Sequence, residues 1–137
     1  MEDLRKLAQI NKKGYPFSAR ILEETTGRSI IAVNQVIAKN DPTAHAEIEV
    51  IRKAGENRFN FEDCVIVSSG EPCPMCITAI AWTGIKKVYY LDSYKVANAK
   101  GFDFDQDVHR VNRFLNLGLT ISQLDKKNKR KKMIAIK

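Results

Sequence analysis

The sequence predicts an α/β sandwich built around a mixed sheet. Two observations carry that expectation. Short β-branched apolar runs alternate with segments of helical composition. Glycine- or proline-containing breaks separate nearly all of them. At 137 residues the chain is long enough for one real core but not for two.

The elements follow in order. Residues 2–12 read as an amphipathic helix, with Leu4, Leu7, Ala8 and Ile10 near helical spacing, and Gly14-Tyr15-Pro16 breaks it. Phe17 to Leu22 and Ser29 to Val36 are strand-like and joined by a turn at Thr26-Gly27. Asn40-Asp41-Pro42 turns the chain into a helix over Ala44 to Ala54, with Thr43 as its expected cap. Cys64 to Ser68 is a buried strand stopped by Ser69-Gly70. Cys73 to Thr83 reads as a helix ending at Gly84. Lys87 to Leu91 is a strand, Gly101 to Gln106 a loop, Val108 to Leu117 a helix stopped by Gly118, and Leu119 to Leu124 a short strand.

Composition narrows the class. Hydrophobic residues at 44% and charged residues at 28% suit a globular domain. No apolar run approaches the ~20 residues that span a bilayer, so no membrane partner is expected. The start Met1-Glu2-Asp3-Leu4-Arg5-Lys6 lacks the basic-then-apolar order of a secretory signal. Cytoplasm is the expected compartment. The net charge of +7 is local. Seven of the 23 Lys and Arg residues lie within 126–137, and the sixteen that remain equal the sixteen acids. The expected organisation is one domain over residues 1–125 and a basic tail over 126–137. The tail fits either an electrostatic contact with nucleic acid or a solvated chain end.

Two short stretches carry the chemistry. His45 lies in Thr43-Ala44-His45-Ala46-Glu47, and Cys73 and Cys76 lie in Pro72-Cys73-Pro74-Met75-Cys76. One His and two Cys are donors for a tetrahedral zinc, one ion per subunit, and three protein ligands leave a fourth position for water. Both motifs are expected to start helices, whose positive N-termini favour thiolates and prepare both sulfurs for a cation. Water on such a centre becomes a nucleophile near neutral pH. Glu47, two residues after the His, is placed to handle its proton as a shuttle and not as a ligand. The bland readings are a redox CxxC pair and a chance HxE. Cys64 is expected to be a buried small hydrophobe, and His109 a surface or satisfied residue.

The combination H-x-E…P-C-x-x-C is the signature of zinc-dependent nucleobase deaminases. Over roughly residues 1–120 the chain resembles the cytidine and deoxycytidylate deaminase superfamily, closest in style to its purine-acting branch. Asp41-Pro42-Thr43-Ala44-His45-Ala46-Glu47-Ile48 is similar to guanine deaminases and to bacterial tRNA adenosine deaminases. Ser68 to Cys76, Ala79-Ile80-Ala81-Trp82 and Pro16-Phe17-Ser18-Ala19 look more like guanine deaminase, with Ser18 and Gly70 standing where relatives often carry Gly and Cys. The resemblance implies a three-layer α/β/α sandwich with a central mixed five-stranded sheet. It implies hydrolytic deamination of a purine base, with guanine to xanthine plus ammonia as the leading case. It adds Asn34, whose amide can donate and accept at once, with Ala46, Trp82 and either Asp103 or Asp105, as substrate contacts, and implies at least a homodimer. Trp82 could instead pack in the core or at the subunit interface. The alternatives are a tRNA adenosine deaminase using the basic tail, a cytosine or nucleoside deaminase, and a zinc-stabilised scaffold without turnover.

Overall fold

The computed structural model describes residues 2–93 and 108–124. Among these the order is α1 (Glu2–Gln9), β1 (Ser18–Glu23), β2 (Ser29–Val33), α2 (Val36–Lys39), α3 (Ala46–Glu56), a 3₁₀ turn (Phe61–Asp63), β3 (Cys64–Gly70), α4 (Pro74–Thr83), β4 (Lys87–Asp92), α5 (Val108–Phe114) and β5 (Thr120–Gln123). The strands form one sheet in the order β2-β1-β3-β4-β5. β1 is antiparallel to both of its neighbours, while β3, β4 and β5 are parallel. The expected mixed five-stranded sheet is therefore present.

Side-chain alternation divides the core into two layers. Ile21, Ile66 and Val88 point to one face and pack with Val50 of α3, Ile77 and Ile80 of α4 and Val108 of α5. Leu22, Val65, Val67, Tyr89 and Leu91 point to the other face, where Leu4 of α1 joins them. With both faces covered, β3 has no polar alternation to show, and Val65-Ile66-Val67 reads as a continuous apolar run. Each large aliphatic side chain buried here stabilises the fold by about 1.5–3 kcal/mol.

Several boundaries differ from expectation, each for a local reason. β2 stops at Val33 and not at Val36, because the Asn34 side chain takes the backbone N–H of Val36 and starts α2. β3 continues through Ser69-Gly70, still paired with β4. α1 ends at Gln9, and Asn11 turns its amide back onto the carbonyls of Tyr15 and Asn34. Thr43 is not the cap of α3. Its N–H and hydroxyl are both spent on Asp41, and the cap position belongs to His45. Cys64 is buried as expected and donates to the Asn60 carbonyl. Among the described residues no helix is long and apolar enough to cross a membrane.

One buried carboxylate anchors the end of β1. Glu23 accepts from Arg28 Nε at 3.1 Å, Thr26 Oγ1 at 2.5 Å and the Asn60 N–H at 2.6 Å. Arg28 also lies 4.3 Å over the Phe59 ring. The Arg28 hydrogen bond leads in holding the Glu23 carboxyl at about 2, below its ordinary 4.5. A lowered folded-state pKa stabilises the fold above pH 4.5, and that contribution fades as pH falls from there toward 2. Glu23→Gln is therefore expected to be less stable than the parent at neutral pH, with the gap narrowing in acid. Urea midpoints measured from neutrality down to about pH 3 check it, and a gap independent of pH would contradict it.

Candidate active site

Strand register brings the two motifs together. Val33 pairs with Ser18, and Ala19 pairs with Ser68. The C-terminal ends of β2 and β3 therefore meet at one edge of the sheet. Asn34 leaves the sheet from the first, and the loop to Cys73 leaves from the second. This is the edge at which α/β sheets collect ligands.

His45 and Cys73 are the N-cap residues of α3 and α4, both in extended conformation. Their carbonyls accept the first helical bonds, from Glu49 at 2.9 Å and from Ile77 at 3.0 Å. Pro74 occupies the first helical position, where its missing N–H costs nothing. The His45 Nδ1 and the two sulfurs all lie within 4.8 Å of one another. His45 Nδ1 is 3.6 Å from Cys73 Sγ and 3.5 Å from Cys76 Sγ. A tetrahedral zinc with bonds of about 2.3 Å to sulfur and 2.0–2.1 Å to nitrogen holds N and S roughly 3.6 Å apart. The donor set and its spacing fit that metal.

The crowding of these three groups sets their proton affinities apart. A hydrogen bond from Cys76 leads in keeping Cys73 a thiolate, at about 4, while Cys76 is held well above 9.0 as the donor. Hydrogen bonding to Cys73 raises His45.

Glu47 is in the first turn of α3 and is 7% exposed. Burial is the main reason its carboxyl is pushed up to about 7, and a hydrogen bond with Cys76 opposes that rise. It therefore faces the cluster at hydrogen-bond range and sits in the pH range useful for proton transfer.

Asn34 is buried, and Gln35 next to it donates its N–H to Ala44 O, next to His45, at 2.9 Å. Its Oδ1 accepts from the N–H groups of Tyr15 at 3.2 Å and Val36 at 3.0 Å. Two backbone donors fix the amide's orientation. The Nδ2 group makes no hydrogen bond among the described residues. The side chain, expected to donate and accept at once, thus has its acceptor spoken for and offers a ligand only N–H donors. Gly14 permits this close fit, since a Cβ there would lie 2.2 Å from Asn34 Oδ1. Asn11 completes the cradle by bonding Asn34 O at 2.8 Å. Sequence reasoning missed Gly14, Tyr15 and Asn11, which carry no motif of their own.

Other expected contacts fall differently. Ala46 is fully buried and packs in the core. Trp82 is 88% exposed, which excludes core packing. It stands six residues past Cys76, about 9 Å further along α4. His109 is exposed, as expected. Asp103, Asp105 and the basic tail lie outside the described residues.

Comparison with known proteins agrees with this geometry. The family described as "Cytidine and deoxycytidylate deaminase zinc-binding region" matches residues 1–92, a span that holds both motifs. The chain belongs to this deaminase family. Guanine deaminase of Bacillus subtilis strain 168 is 44% identical over 94 residues, covering 66% of this chain. The chain spans 58% of that relative's length. The X-ray structure of a guanine deaminase from Bacillus subtilis shares the fold at TM-score 0.69 and 38% identity, covering 75% of this chain and 68% of that one. A guanine deaminase from Nitrosomonas europaea matches at TM-score 0.75, covering 98% of this chain and 79% of that one. At 23% identity it speaks for the fold alone.

Proposed function

We propose that this member of the deaminase family is a zinc-dependent hydrolase of a purine base, with guanine to xanthine plus ammonia as the leading reaction. The observation that carries this reading is a buried carboxylate, Glu47, facing a His-Cys-Cys cluster of tetrahedral spacing. A purely structural metal site has no need of it. The likeness to guanine deaminases supports the choice of base.

His45, Cys73 and Cys76 would hold the metal, which when bound supplies a Lewis acid and lowers the pKa of water in the open position to about 7. Glu47 would carry a proton from the attacking water to the ring nitrogen beside the amino-bearing carbon, and then the remaining hydroxyl proton to the amine, so that the C–N bond breaks with ammonia as the leaving group and a carbonyl left on the ring. Asn34 donates its N–H groups to an acceptor on the base edge and so orients the ring. Burial of Ala44 and Ala46 keeps the wall behind the cluster dry.

A homodimer belongs to the same reading. α4 carries no charged residue and leaves Met75 and Trp82, seven positions apart, exposed on one side. A cytoplasmic setting suits three cysteines that form no disulfide among the described residues.

The test is ammonia release by zinc-loaded protein from guanine, guanosine, adenine, adenosine, cytosine and cytidine. Turnover of guanine alone is expected. Silence across the panel with zinc bound would reject the small-substrate reading and favour a tRNA adenosine, with the basic tail as the contact.

A further inference from the structure

α3 buries two carboxylates, and the reaction uses only one. Glu49 follows Glu47 by two residues, about 200° around the helix, and so faces away from it. It is 5% exposed. Its Oε2 accepts from Lys39 Nζ at 2.7 Å and Gln35 Nε2 at 3.3 Å, and its Oε1 from Arg52 Nη1 at 3.1 Å. Burying a carboxylate is costly unless it is paired and hydrogen-bonded, as it is here.

The partners explain the position. Lys39 and Gln35 bracket α2, the turn that follows Asn34. α2 has four residues and no buried side chain, and its Ile37 is 62% exposed. A helix this short does not hold itself together, and this one has no apolar anchor. Polar ties fix it: Ala38 N–H to Lys13 O at 2.8 Å, Gln35 N–H to Ala44 O at 2.9 Å, and the two bonds to Glu49. Among the described residues, only Glu49 connects both ends of α2 to the helix that carries Glu47. The Val36 N–H that orients the Asn34 amide belongs to this same turn.

We propose that Glu49 is a positioning residue: through Gln35 and Lys39 it holds the 34–39 turn, and with it the Asn34 amide, in register with Glu47 on α3. This rests on the reading of Asn34 as the base contact given above. Nothing in the zinc motif calls for an acid at this position. Glu49 sets the distance between the group that orients the base and the group that moves protons.

Two readouts test it. The first is independent of catalysis: hydrogen exchange at the Tyr15 and Val36 amides, both bonded to Asn34 Oδ1. Glu49→Gln is expected to speed both about tenfold, while Ile66 and Val67 in the central strand keep their rates. Unchanged exchange at Tyr15 and Val36 would overturn the proposal. The second is a double-mutant cycle on guanine turnover. Glu49→Gln is expected to raise KM about tenfold, with the loss falling on KM and not on kcat, and to add nothing in an Asn34→Ala background. The same rise in both backgrounds would mean that Glu49 acts elsewhere, and would also overturn it. If Glu49→Gln does not fold, Lys39→Met, altered at a half-exposed side chain, carries both measurements. A parent that binds zinc but turns over no purine would sink the deaminase reading, and the exchange measurement would still decide the role of Glu49.

Discussion

Glu47→Gln is expected to keep its zinc and to lose turnover by about two to four orders of magnitude, the usual worth of a positioned acid–base group. The substitution keeps the shape and hydrogen-bonding reach of the side chain but removes its ability to carry a proton. The carboxyl is buried and pushed up to about 7, so in the parent it can both take and return a proton near neutrality. It is not among the three donor atoms that cluster at metal spacing. Metal content should therefore match the parent, and ammonia release from guanine should nearly vanish. Activity within tenfold of the parent would remove Glu47 from the mechanism. Loss of zinc together with activity would make it a ligand.

Cys76→Ala is expected to abolish both zinc retention and turnover while leaving a folded chain. Cys76 is fully buried, and Ala is a small apolar replacement that leaves the core around Ile77 and Ile80 in place. What disappears is the second sulfur ligand, and the two remaining ligands fall short of the three that a catalytic zinc site uses. A ligand that binds only the native state raises apparent stability by RT ln(1 + [L]/Kd). Added zinc should therefore raise the unfolding temperature of the parent and leave Cys76→Ala unmoved, with chelator erasing the difference. A variant that still gains stability from zinc would show that the metal sits elsewhere.

The chemistry of this site was legible in the sequence because it depends on side chains close together along the chain. His45 and Glu47 are two apart, and Cys73 and Cys76 three apart, so each pair falls on one helix start whatever the rest of the fold does. The alternation of apolar runs likewise marked all five strands. Most of what escaped notice depends on long-range contacts. Asn34 looked like an amide free to donate and accept, and only the return of Tyr15 across the sheet edge shows that its oxygen is taken. Thr43 looked like a helix cap, but Asp41 competes for its hydroxyl two residues away. Trp82 could be read as a substrate contact or as core or interface packing, and the core reading falls because α4 turns it outward while Ile77 and Ile80 fill the inward face. Glu49 reads in sequence as an ordinary surface acid. Its burial becomes visible only once Lys39 and Gln35 are folded back against α3.

The placement of the ligands has a consequence for how the chain assembles. His45 and Cys73 stand 28 residues apart, and the stretch between them holds all of α3 and the central strand β3. An ion gripping both ends closes a covalent-like ring around those two elements. A crosslink closing a loop of this length restricts the unfolded chain by about 3–4 kcal/mol in the chain-entropy description. Metal captured early would thus favour collapse of the middle of the molecule before its edges, and metal held late could leave only when the two helix starts part. The same three side chains that prepare the reaction would then also act as a removable staple for the centre of the sheet.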